Sequence, residues 1–193
     1  MEKEAIETFC PASQQDWRQW LKENHSSKQS VWLVYYKKRC NVPTINYSDA
    51  VDEALCFGWI DSTKKSLDED MFMQFFCKRK PNSVWSKINK GKVGRLINKG
   101  LMTKAGFDRI EIAKQNGSWE ILDDVEELNI PEDLIKELDH KPGSKEYFLG
   151  LSKSVRKSIL QWLVLARRSE TRQKRIAEIA ELAAKKMKPK QFG

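Results

Sequence analysis

LCFGWIDSTKKSLDEDMFMQFFCKRKPNSVWSKINK, residues 55–90, is the stretch on which the fold turns. Gly58 suits the left-handed turn that ends a short helix. WIDSTKKS, 59–66, then reads as a strand, LDED as a turn, and MFMQFFCKR, 71–79, as its hairpin partner. Pro81 cannot donate to a ladder and stops the pairing. Ser83 is the predicted N-cap of the following helix, which carries Trp85, Ile88, Val93, Leu96 and Ile97.

Upstream, Ser13 with Asp16 three residues later forms a capping-box pattern. Trp17, Trp20 and Leu21 then share one helical face. VWLVYYKK, 31–38, is a continuous β-branched and aromatic run, which predicts a strand buried on both faces. Ser48 is the expected cap of a helix over 49–57. Downstream, 103–115 is helical up to Asn116-Gly117. The expected fold class is therefore α+β: a small three-stranded sheet in the order α-β-α-β-β-α, over residues 1–117. Residues 118–193 are expected to be mostly helical and packed on it. They end in a helical hairpin whose first arm places Ile159, Trp162 and Leu163 on its apolar face. The second arm does the same with Ile176, Ile179, Ala180, Ala183 and Ala184, and the tail beyond is expected to fray.

The chain of 193 residues carries a formal charge of +8, with 32% charged and 40% hydrophobic residues. That balance fits a globular protein rather than a disordered one. No apolar run reaches the ~20 residues of a membrane span. The N-terminus is acidic and amphipathic, unlike a secretory signal, so the expected location is cytoplasmic. Cys10, Cys40, Cys56 and Cys77 are widely spaced, and only His25 and His140 join them. No metal-ligand set follows from this spacing. No nucleotide-binding or hydrolase motif occurs, so no cofactor and no catalytic residue is assigned.

Charge is unevenly placed. Between Lys78 and Phe107 no acidic residue occurs, while Lys78, Arg79, Lys80, Lys87, Lys90, Lys92, Arg95, Lys99 and Lys104 do. Such a run attracts phosphates, or it pairs with an acidic face within the fold. The expected ligand-binding residues are Trp59, Asp61 and Lys64 of the strand, with Arg79, Lys80, Ser83, Trp85 and Asn89 at the strand–helix junction. Arg79 and Lys80 would hold an anionic group, and Trp59 or Trp85 would supply an aromatic wall. The rival reading uses 78–99 and the C-terminal helix to bind nucleic acid weakly and without sequence preference. A third uses Asp61 as the base of a small hydrolase or lyase.

Taken in order, ALCFGWIDS, RKPNSVWSKIN, GLMTKAG, IAKQNGSW, IPEDL and ETRQKRI resemble the YdeI/OmpD-associated, or bacteriocin-protection, family. The sequence departs from the family's pattern at Ser62, where Gly is usual, and at Lys78, where Pro is usual. The resemblance implies a bacterial, cytoplasmic protein in a stress or bacteriocin-protection setting. It attaches no reaction, and an unidentified anionic ligand or protein partner is what it leaves to be expected.

Overall fold

The computed structural model describes residues 7–192. Two compact units divide the chain, the first ending at Trp119 and the second beginning at Glu120.

The first unit opens with β1 (Thr8–Phe9) and α1 (Gln14–Asn24). Ser13 Oγ accepts from the Asp16 amide while the Asp16 carboxylate accepts from the Ser13 amide, so the capping box forms as read. There follow β2 (Ser30–Tyr36), α2 (Tyr47–Cys56), β3 (Trp59–Ser66) and β4 (Met71–Lys78). The unit closes with α3 (Lys87–Asn98) and α4 (Lys104–Gln115).

The sheet has four strands in the order β1-β2-β4-β3, not three. The added strand, β1, is two residues long and runs parallel to β2, with Thr8 opposite Trp32 and Phe9 opposite Leu33. Two residues cannot show alternation, so no local pattern announces it. The hairpin β3–β4 falls where the punctuation by Gly58 and Pro81 places it. Gly58 has φ +72°, and a Cβ there would lie 2.7 Å from the Ala105 carbonyl oxygen and from Arg109 Cγ. Only glycine permits both the turn and that approach of α4.

β2 alternates instead of burying both faces. Val31, Leu33 and Tyr35 are buried, whereas Trp32, Val34 and Tyr36 are half-buried. The buried side meets α1 and α2. There Trp17 stacks with Trp20 at 5.1 Å between ring centroids and meets the edge of Phe76 at 5.4 Å. Trp59 packs edge-on against Trp20 at 5.7 Å.

Two helix starts lie away from their predicted caps. α2 begins at Tyr47 with Asn46 as its N-cap residue, ahead of Ser48. α3 begins at Lys87 with Ser86, not Ser83, accepting from the Asn89 amide. The cause is tertiary. Asn116 Nδ2 donates to the Pro81 carbonyl at 3.0 Å and to Asn82 Oδ1 at 3.2 Å. The Ser83 amide turns back to the Lys80 carbonyl. These bonds hold 80–83 as a loop, so Trp85 precedes the helix it was assigned to. Ile88 and Ile97 are exposed rather than core.

The second unit contains α5 (Asp123–Glu126), α6 (Glu132–Asp139), α7 (Ser144–Gly150), α8 (Lys153–Val164) and α9 (Ser169–Ala184). α9 packs chiefly on α6 and α7, and less on α8. Arg172 of α9 grips Asp133 of α6 through two hydrogen bonds of 2.6 and 2.9 Å, and the bonded guanidinium lowers the Asp133 carboxyl below its usual range. Ala184 is exposed. The tail is not frayed throughout: Pro189 is buried, and Phe192 meets the edge of Trp162 at 5.9 Å. Trp162 itself is only half-buried, with Arg175 over its ring, whereas Leu163 is fully buried. Leu163→Ala is therefore expected to cost about 3 kcal/mol, within the range for buried leucine truncation. Trp162→Ala is expected to cost less, because solvent already reaches its ring. Urea unfolding of both variants checks the order, and a larger loss from Trp162 would show the indole to be the anchor.

Candidate functional site

The β3–β4 hairpin divides the predicted residues between its two faces. Trp59 and Asp61 share the helix-covered face, as alternation requires. Trp59 is core there, and its indole N–H donates to the His25 carbonyl at 3.4 Å. Asp61 accepts from the Tyr47 hydroxyl at 2.6 Å and from Gln74 Nε2 at 3.4 Å. Tyr35 lies in the same polar cluster, and burial raises its hydroxyl above the ordinary value, helped by the charge of Asp61. A bulge between Asp61 and Lys64 inserts one extra residue, so Lys64 pairs with Gln74 and returns to this face. Its ammonium sits 4.0 Å from the centroid of Phe72. Asp61 and Lys64 are thus engaged locally.

The opposite face leads to a cavity of about 690 Å³. Its floor is Ile60, Phe75 and Cys77, with Ser30 at the start of β2 and Ser62 and Gln29 at the sides. Its other walls are Lys78, Arg79, Lys80, Pro81 and Ser83, together with Arg109 of α4. Four basic side chains and no acidic one line this space. Ser62 and Lys78 are both part of it.

Arg79 is the unusual member. It is 3% exposed, yet among the described residues no carboxylate pairs with it. Its guanidinium lies 3.6 Å from the Trp85 ring centroid, and Nη2 donates to the Val84 carbonyl at 3.3 Å. Its Nε has no partner, and neither has the buried Trp85 Nε1. Burial lowers the Arg79 pKa to about 10, a shift that the more distant charge of Asp61 opposes. The folded value thus lies below the unfolded one, and the protonated side chain costs stability at neutral pH. That cost declines only as pH rises through the interval above about 10. A buried cation normally has a bonded counter-charge, and a bound anion would supply one.

Lys78 donates to the Ser26 carbonyl at 2.7 Å, so it is a positioned wall. Together with Arg109 it also borders a second cavity of about 340 Å³ beside His25, Phe57 and Trp59. Cys77 is a protonated wall, since burial raises its thiol above the ordinary range.

Of the expected residues, the structure brings Arg79, Lys80 and Ser83 into one cavity and sets Trp85 beneath Arg79. Asn89 lies in the first turn of α3, where its amide serves the Ser86 cap. Lys92 and Arg95 both pair with Asp52 of α2, the first at 2.6 Å, so the 78–99 run is partly neutralised within the fold. Sequence reading missed Arg109, which lies thirty positions from Arg79 and joins it only through the seating of α4 beside Gly58. Among the described residues no group of His, Cys, Asp and Glu could hold a metal ion, and no helix is long and apolar enough to cross a membrane.

Residues 9–109 match the family model described as Domain of unknown function (DUF8412). Residues 127–186 match the model described as Bacteriocin-protection, YdeI or OmpD-Associated. No curated protein and no solved structure gives a significant match to the chain.

Proposed function

The chain belongs to the DUF8412 family of domains of unknown function, and on that footing we propose that it is a binding protein for a small anion, held between β4 and α4. The observation that carries this reading is the buried, unpaired guanidinium of Arg79 in the wall of a cavity lined by three further cations. Arg79 is oriented by Trp85 and Val84 before any ligand arrives, so little side-chain freedom is lost on binding. Arg109 and Lys80 add charge, and Ser83 adds a hydroxyl.

Binding is favoured over catalysis by the state of the reactive groups. Asp61 is committed to Tyr47 and Gln74 on the other side of the sheet, and the Cys77 thiol stays protonated. A pocket is favoured over a nucleic-acid stripe because Asp52 takes up Lys92 and Arg95. The match of 127–186 supports a bacteriocin-protection or stress setting for this ligand. The four unpaired cysteines support a reducing, cytoplasmic location.

The test is a phosphate titration followed by thermal unfolding and calorimetry. Phosphate at a hundredfold excess over its Kd is expected to stabilise the protein by about 2.7 kcal/mol. Arg79→Met removes that shift, while the free variant melts no lower than the parent, because an uncompensated buried charge has gone. Lys80→Ala weakens the response without abolishing it. An equal phosphate response in parent and Arg79→Met would overturn the assignment.

A further inference from the structure

The cavity is much larger than an inorganic anion and falls in the size range of sites for whole organic ligands, roughly 300–1,000 Å³. Its walls are chemically sorted. Arg79, Lys80 and Arg109 form a cationic end. The β3–β4 floor is apolar, and its broadest group is the half-buried ring of Phe75. Trp32 meets that ring at 5.0 Å and 61°, which steadies it. The hydroxyl of Ser62 on β3 and the amide of Gln29, just before β2, flank that floor on its two sides.

Resting on the anion-binding reading above, we infer that the occupant is a free nucleotide. Each part of such a ligand has its counterpart in the walls. A carboxylate would balance one cation and leave the others uncompensated, whereas a phosphate monoester brings close to two negative charges. Arginine also matches the geometry of phosphate oxygens through paired N–H donors. A sugar offers hydroxyls to Ser62 and Gln29. A flat base covers the Phe75 ring by offset stacking, which an aliphatic tail could not exploit. The Cys77 sulfur beside it is a polarisable neighbour for an aromatic edge. A single concave volume of this size suits one nucleotide unit better than a strand running across a surface.

The experiment compares four probes on the unaltered full chain by calorimetry: adenosine 5′-monophosphate, ribose 5-phosphate, adenosine, and a ten-residue single-stranded oligonucleotide. Adenosine monophosphate is expected to bind about tenfold more tightly than ribose 5-phosphate, the gain of one stacked base, and adenosine only weakly. Phe75→Leu keeps the apolar volume and removes the aromatic face. It should erase the tenfold gain and leave ribose 5-phosphate unchanged. The probe series decides the matter even if that variant folds poorly. Equal affinity for adenosine monophosphate and ribose 5-phosphate overturns the nucleotide and leaves the anion site standing. An oligonucleotide bound tenfold more tightly than the mononucleotide overturns it in favour of nucleic acid. No binding of either phosphate ester, with Arg79→Met indistinguishable from the parent, means that the anion site itself fails.

Discussion

Replacing Trp17 with alanine is expected to lower the stability of the first unit by about 3–5 kcal/mol, the cost of deleting a buried tryptophan. Trp17 is fully buried at the meeting of α1, α2 and the sheet. It touches Phe9, Trp20 and Phe76, and so links β1, α1 and β4. Its indole N–H donates to the Ala50 carbonyl at 3.0 Å, which ties α1 to α2. The void left by alanine cannot be refilled by residues that are themselves interlocked. Trp17→Phe keeps most of the ring contact and gives up the hydrogen bond, and about 1–2 kcal/mol is expected for it. Urea unfolding followed by far-ultraviolet circular dichroism measures both. A loss below about 1 kcal/mol from the alanine variant would remove Trp17 from the centre of the core.

Trp85→Ala is expected to act twice, costing about 3–5 kcal/mol of stability and weakening phosphate binding severalfold. Trp85 is 1% exposed and sits between the Arg79 guanidinium and the Trp119 ring, whose centroid is 4.8 Å away. Without the indole face, Arg79 loses the stacked position it holds in the cavity wall, as well as the cation–π attraction. Trp85→Phe restores a ring at that position, so phosphate affinity should return close to the parent value while stability recovers in part. If the alanine variant bound phosphate as tightly as the parent, Trp85 would have a role in packing alone.

The legible parts of this protein were those with a local physical signature. Ser13 and Asp16 satisfy each other within one helical turn, and the backbone amides they serve belong to the same turn. Gly58 and Pro81 punctuate the hairpin because one permits a positive φ and the other lacks a donor, whatever surrounds them. The alternation along 59–66 put Trp59 and Asp61 together before any partner strand was known. Arg79, Lys80 and Ser83 line one cavity because they fall within five consecutive positions after the end of β4, which keeps them close in any fold.

The other decisions needed contacts between distant residues. β1 exists only because β2 offers an edge at Trp32 and Leu33. Ser83 loses the cap of α3 to Ser86 because Asn116 holds the Pro81 carbonyl and the Asn82 side chain in a loop. The bulge after Asp61 returns Lys64 to the helix-covered face, so strand counting by twos places it wrongly. Above all, Arg109 reaches the same cavity as Arg79 because Gly58 has no Cβ to keep α4 away. A chain states its hydrogen-bonding needs turn by turn, and those needs are settled within a few residues. Which charge ends beside which depends on packing among elements far apart in sequence, and for Arg79 that packing left a buried cation without a carboxylate.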